Sequence, residues 1–285
     1  MPAHFGQANQ LLGYPPEARL LIINADDFGM CHAVNTAIIQ AWQNGILQSA
    51  TLMIPCPWAG HAMRFLVEHP EIAFGVHLTA ISDWADYRWG PIVPREKVPT
   101  LVNEAGTFYN FEQMSVFLAQ LNLAELELEF RAQIERVLAA GLQPTHLDWH
   151  SLRLTGGDAV SELMFGLAQE YGLALRVRGQ SWINTVQSHG LPTNDHDFLD
   201  SYLLDPTTKS ARFVELLQML PPGLSEWAIH PGLDNAELQA IDPGGSHNRQ
   251  GDFDFLTSAQ AQTAIAEEGI ILLNYRALQN VWRKQ

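Results

Sequence analysis

Two cysteines, Cys31 and Cys56, are all that 285 residues contain. They are too few for a disulfide framework and lack the spacing of a zinc-binding cysteine motif. They read as free, partly buried thiols in a reducing compartment, with a single bridge left open. Basic side chains are scarce too: 16 Lys and Arg stand against 31 Asp and Glu, a formal charge of −15. That balance disfavours nucleic acid and anionic membrane surfaces as partners. No uninterrupted apolar run approaches membrane-spanning length, and Met1 to Arg19 lacks the basic-then-apolar order of a signal peptide. Internal repeats and low-complexity tracts are also missing. The expected location is therefore cytoplasmic, with neither nucleic acid nor membrane as partner and a homodimer left open.

The residues that are present supply a core, since 47% are hydrophobic. Apolar runs of strand length fall at Arg19–Asn24, Leu47–Ile54, Ile72–His77, Thr145–Asp148, Leu173–Val177, Glu226–His230 and Ile270–Asn274. Amphipathic stretches alternate with them: His32–Asn44, His61–His69, Leu123–Ala140, Ala159–Tyr171, Ala211–Leu220 and Ser258–Glu268. Gly45, Gly141 and Gly172 follow three of these where a left-handed cap ends a helix. The alternation predicts an α/β fold around a parallel sheet of about seven strands, either doubly wound or an irregular (β/α) barrel. Two segments break the rhythm, Leu78 to Asn110 and Asp234 to Asp254. Neither has the composition of a linker, so one domain over residues 1–285 is expected, with long loops at a functional site.

The pair Asp26-Asp27 closes the first apolar run. As an N-cap plus a solvated charge it would be ordinary. As the start of a metal-dependent hydrolytic site it has a sharper meaning, one carboxylate holding a divalent cation while its neighbour takes a proton from water. Other strand ends add His77, His150 just past Asp148, Arg176 and Arg178, and His230. In a parallel α/β barrel, strand ends share one rim. His146 and His150 lie four apart on a strand, roughly 13 Å at ~3.3 Å per residue, so they cannot share one ion, and His150 is nearer the rim. Asp27, His77 and His150 then form a ligand set suited to Zn²⁺, Fe²⁺ or Co²⁺. Asp148 reads either as a carboxylate that orients a ligand or as half of a buried ion pair. The remaining histidines, His4, His32, His61, His69, His189, His196 and His247, read as surface or packing residues.

Four motifs, Asn24-Ala25-Asp26-Asp27-Phe28-Gly29, Gly75-Val76-His77-Leu78-Thr79, Pro144-Thr145-His146-Leu147-Asp148-Trp149-His150 and Ile229-His230-Pro231-Gly232, resemble those of the YdjC-like, or ChbG-type, carbohydrate deacetylases. These are distant relatives of the NodB-type polysaccharide deacetylases. The likeness covers a core from about residue 20 to 275. It implies a TIM-barrel-like fold of about seven β/α units, and removal of acetyl groups from N-acetylated sugars with a divalent metal, often Mg²⁺. It also implies Asp27, His77 and His150 as ligands, Asp26 as general base and His230 as the acid that protonates the leaving amine. The chain departs from the pattern at Trp149 and in Ser151-Leu152-Arg153-Leu154, which bears on the sugar bound and leaves the ligand set intact.

The function expected is thus metal-assisted hydrolysis of the N-acetyl group of an amino sugar or short oligosaccharide. Arg176 or Arg178 would hold Asp26 by a bidentate pair. Trp84, Tyr87 and Trp89 would offer flat faces to a sugar ring, or else pack the loop. The rivals are a metal hydrolase of a phosphoester or another amide, and a non-catalytic carbohydrate-binding relative.

Overall fold

A computed structural model describes residues 6–152 and 159–284; His4, Arg153 and Leu154 lie outside the described residues. Eight strands occur in it: β1 (Arg19–Phe28), β2 (Ser49–Leu52), β3 (Phe74–Thr79), β4 (His146–His150), β5 (Ala174–Leu175), β6 (Leu199–Asp200), β7 (Gly223–Ile229) and β8 (Ile271–Leu273). The sheet order is β5-β4-β3-β2-β1-β7-β6, with β8 on β1. Every pair is parallel, and the sheet curls into a half-barrel.

β1 is buried along its length after Arg19 because both its edges are covered. β7 runs beside it from Arg19 to Ala25. The other edge is shared, with β8 along Leu20–Ile22 and β2 along Asn24–Phe28. A strand so enclosed needs the continuous apolar run it has. The expected seven strands are present, and the eighth, β6, is two residues long with no apolar run to announce it. β1 also extends four residues past its apolar run, so Asp26 and Asp27 lie inside the strand, both buried. The following helix, His32–Asn44, takes Cys31 as N-cap, which removes the capping role for the acidic pair.

Two expectations need correction. Asp234 to Asp254 is largely helical, Ala236–Ile241 and Ser246–Leu256, the former capped by Asn235 Oδ1 accepting from the Leu238 N–H at 3.1 Å. The second helix buries Ser246, Asn248, Arg249 and Asp252, so it has no apolar stripe for periodicity to detect. Gly45 is not a left-handed cap; its φ of −127° and ψ of −156° are extended. Glycine is needed there for another reason, since a Cβ would lie 2.3 Å from the Leu256 carbonyl oxygen. Gly141 and Gly172 are left-handed, at φ 78° and 62°.

The segment Leu78 to Asn110 contains two short 3₁₀ turns, Arg95–Lys97 and Pro99–Leu101. It is pinned by buried Glu129, whose carboxylate accepts from the Ile92 and Val93 N–H groups at 3.0 Å each. At the open ends of the sheet, side chains replace a ladder. Thr193 donates to the Leu175 carbonyl at 2.8 Å, and Asn194 accepts from and donates to Val177 at 3.2 and 2.9 Å. Asp195 bonds Leu224 on β7.

Candidate active site

The sheet's carboxyl edge opens into a cavity of about 550 Å³ lined by Asp26, Asp27, His77, His150, Arg176 and His230 among others. Asp26 and Asp27, adjacent in sequence, face different partners. Arg176 grips Asp26 at both oxygens, Nη1–Oδ2 2.7 Å and Nη2–Oδ1 2.8 Å, and Asn24 Nδ2 donates to Oδ1 at 2.8 Å. Burial alone would raise the Asp26 carboxyl, but the Arg176 guanidinium overrides it and holds the group far below its ordinary value. Arg176 also donates through Nε to Glu226 at 2.7 Å and lies 2.9 Å from Asp148 Oδ2. The sequence left Arg176 and Arg178 as alternatives. Arg176 is the one that holds Asp26, and exposed Arg178 lies over the Phe198 ring, 4.6 Å from its centroid.

Asp27 points elsewhere because its backbone is left-handed, with φ at 70°, an uncommon state for a residue with a Cβ. Its Oδ2 accepts from Arg249 Nη2 at 2.7 Å. Its Oδ1 is 3.4 Å from His77 Nε2 and 3.1 Å from His150 Nδ1. Burial opposes the Asp27 charge, and Arg249 with the two imidazoles brings the carboxyl well below its usual range. On His77, burial disfavours the cation, but Asp148, 2.7 Å from Nδ1, and Asp26 carry its pKa up to about 10. On His150, burial is likewise outweighed by Asp83, 2.7 Å from Nε2, and by Asp27, giving about 9. Asp148 therefore bonds His77 and pairs with Arg176 at once.

Asp27, His77 and His150 offer ligand atoms within 4.8 Å of one another. Two ligands of one ion at ~2.1 Å sit roughly 3.0–3.5 Å apart in octahedral or tetrahedral geometry, and the 3.4 and 3.1 Å separations match. One carboxylate oxygen and two imidazole nitrogens form a donor set that fits a divalent cation. A second group, Asp26, His77 and Asp148, is as close, but its atoms are already engaged by Arg176 and by the His77–Asp148 bond. His146 stands apart as expected, buried and stacked on Tyr275 at 3.6 Å. Burial, with Arg176 adding to it, keeps that imidazole neutral.

His230 follows β7, with Nε2 3.9 Å from Asp26 Oδ2. The aromatic residues divide. Trp84 lines the cavity. Trp89 does not present a face to it: the side chain is 3% exposed, and its indole N–H donates to the Ile81 carbonyl at 2.8 Å. Tyr87 is half-buried, its hydroxyl donating to the Met30 carbonyl at 2.7 Å. Packing is the role of both. Four residues that contact these groups do not stand out in the sequence: Asp83, Arg249, Ser201 and Asp252. All lie in stretches without apolar periodicity. The faint signal was Arg249 and Asp252 three apart, one face of a helix once that helix is recognised.

The protein-family model described as YdjC-like protein matches residues 20–267. A carbohydrate deacetylase of Geobacillus stearothermophilus is 35% identical over 90% of this chain and 97% of its own. A chitooligosaccharide deacetylase of Serratia marcescens is 27% identical over 91% and 99%. A crystal structure from Enterococcus faecalis, given the working description of a cellobiose-phosphate cleavage protein, superposes with a TM-score of 0.79 at 32% identity, covering 92% of this chain and 99% of that one. With a family match over most of its length and this level of identity to full-length relatives, the chain belongs to the YdjC-like family.

Proposed function

We propose that the chain is a metal-dependent deacetylase that hydrolyses the N-acetyl group of an acetylated amino sugar or short oligosaccharide. The observation that carries this reading is the divergence of two neighbouring carboxylates: Asp26 is locked by Arg176, while Asp27 turns one oxygen toward two imidazoles. The names of the relatives supply the sugar and the acetyl group.

Asp27 Oδ1, His77 Nε2 and His150 Nδ1 would hold the ion. Arg249 occupies the second Asp27 oxygen, so Asp27 offers a single donor atom. A divalent ion there would acidify a water and polarise the acetyl carbonyl. That acidification matters for Asp26, because a carboxylate held so low is a weak base toward ordinary water. Asp26 stays ionised across the neutral range and takes the proton of the attacking water. His230, whose Nε2 lies 3.9 Å from Asp26, gives a proton to the departing amine. A purely binding relative would need neither group. Mg²⁺ follows from the family likeness, and Zn²⁺, Fe²⁺ or Co²⁺ from the ligand types.

The decisive experiment is acetate release from a panel of N-acetylated mono- and oligosaccharides, with and without a chelator, alongside a simple phosphoester. Chelator-sensitive acetate release is expected. Cleavage of the phosphoester with no acetate from any sugar would hand the site to the rival phosphoesterase reading.

A further inference from the structure

His230 does not stand alone. Its Nδ1 is 3.0 Å from the Ser201 hydroxyl oxygen, and that hydroxyl donates to Asp252 Oδ2 at 2.6 Å. Asp252 Oδ2 also accepts the backbone N–H of His230 at 2.9 Å, and Oδ1 lies 2.7 Å from Lys209 Nζ. Lys209 has two acceptors, the main-chain oxygen of Asn248 at 3.1 Å and its side-chain oxygen. Ser201, Asp252 and Lys209 are all but fully buried, so no solvent competes for these bonds.

Hydrogen-bond accounting fixes the direction of the chain. Lys209 donates to both Asn248 oxygens and sets its charge against Asp252 Oδ1. Asp252 thus faces the Lys209 charge and accepts from the His230 amide and from Ser201. The serine has one proton. At 2.6 Å from a carboxylate oxygen it must point there, since two lone-pair-bearing oxygens so close would repel. The serine oxygen is left only as an acceptor, which requires a proton on His230 Nδ1. The carboxylate on the Nδ1 side of the ring, Asp200, is 3.9 Å from Nδ1, beyond hydrogen-bond reach.

We infer that Ser201, backed by Asp252 and Lys209, is a positioning residue that holds His230 in its Nδ1–H tautomer, so that the proton which comes and goes sits on Nε2. Nε2 is the nitrogen on the Asp26 side of the ring, 3.9 Å from Oδ2. The inference rests on the reading of His230 as the acid. It adds the device that aims the acid, a serine-mediated form of the carboxylate–imidazole pairing that sets histidine tautomers elsewhere. Ser201 sits at the start of a 3₁₀ turn, Ser201–Leu203, capped by Asp200 Oδ1 accepting from the Tyr202 N–H at 3.0 Å, which fixes its backbone.

The test is two-bond ¹H–¹⁵N correlation of the histidine rings in protein loaded with a diamagnetic divalent ion, at a pH where the ring is neutral, the His230 signals being identified by their loss in His230→Gln. Wild type should show a protonated Nδ1 and a bare Nε2. Ser201→Ala should lose that preference, and kcat for acetate release should fall on the order of tenfold with KM little changed, as expected of an acid in the wrong tautomer. An Nε2–H tautomer in wild type overturns the inference, as does a Ser201→Ala protein with unchanged tautomer and unchanged kcat. Undiminished turnover in His230→Ala would instead remove the acid role proposed for that ring, while the tautomer result would still support Ser201 as its director.

Discussion

On the β3–β4 side of the pocket, His77 stands on one strand and its support, Asp148, stands on the next strand across. His77 and Asp148 are register partners in the β3–β4 pair, so the ladder that joins the strands also sets the 2.7 Å contact between the side chains. On the β7 side, His230 takes its supports from a 3₁₀ turn and from the helix Ser246–Leu256. The first arrangement is rigid through backbone hydrogen bonds. The second is rigid through buried side-chain bonds. The contrast predicts that damage on the first side shows in metal affinity, and on the second in turnover with the metal retained.

The pair Asp26 and Asp27, where the two sides meet, is expected to give the largest effect. Asp26→Asn should keep the metal and the fold and lower kcat by about 10²–10⁴-fold, whereas Asp27→Asn should weaken metal binding. Acetate-release kinetics paired with metal analysis separates the two, and near-wild-type turnover in Asp26→Asn would mean the base lies elsewhere. His77→Ala and His150→Ala should both purify with depleted metal; undiminished metal in both would falsify the ligand assignment. One step back, Asp148→Asn should cost metal affinity by roughly 10–100-fold, readable by competition with a chromophoric chelator. Equal loss of affinity in Ser201→Ala would erase the distinction between the two sides.

A smaller, more direct effect concerns protons. In the metal-free protein His77 and His150 titrate near 10 and 9, so both rings are charged at pH 7 and must lose their protons to bind an ion. Adding a divalent ion at pH 7 in weak buffer should release about two protons per chain, and affinity should climb with pH through that range. Release of none would mean the rings are not ligands. The same shifts carry a stability sign. A pKa raised from 6.5 favours the folded metal-free chain most below 6.5, and that contribution is lost as pH rises through about 9 and then 10. The smallest effect is expected at the aromatic wall. Trp84→Ala should raise KM by roughly two- to tenfold, since a ring contact is worth about 0.5–1.5 kcal/mol. Buried Trp89→Ala should show instead as lost stability, on the order of 3–5 kcal/mol in chemical denaturation.

The same contrast explains what could be read in the sequence. Seven of the strands and the residues Asp26, Asp27, His77, His150 and His230 were legible because strand spacing is local, and a polar residue at the end of an apolar run stands out. Asp148 was legible as a candidate for two roles, and the structure shows it bonded to His77 and paired with Arg176. Arg249, Ser201 and Asp252 were not, because their meaning depends on a helix whose inward face is polar and on partners some 20 to 220 residues away. Trp84 and Trp89 looked equivalent in sequence; five positions within one loop put one against the cavity and the other beneath it.

The open end of the sheet has an evolutionary consequence. A closed barrel fixes its bore by strand number and stagger, so changing the aperture means changing the fold. Here the wall between β5 and β6 is made by Trp149 against Phe198 at 5.9 Å, with Arg176 and Arg178 over the Phe198 ring. None of the contacts of Phe198 or Arg178 in that wall belongs to the backbone ladder. Substitution at Phe198 or Arg178 can therefore widen, narrow or recharge this side of the mouth one residue at a time and leave Asp26, Asp27, His77 and His150 in place, which makes the seam a place where members of one family can differ in the shape of the opening.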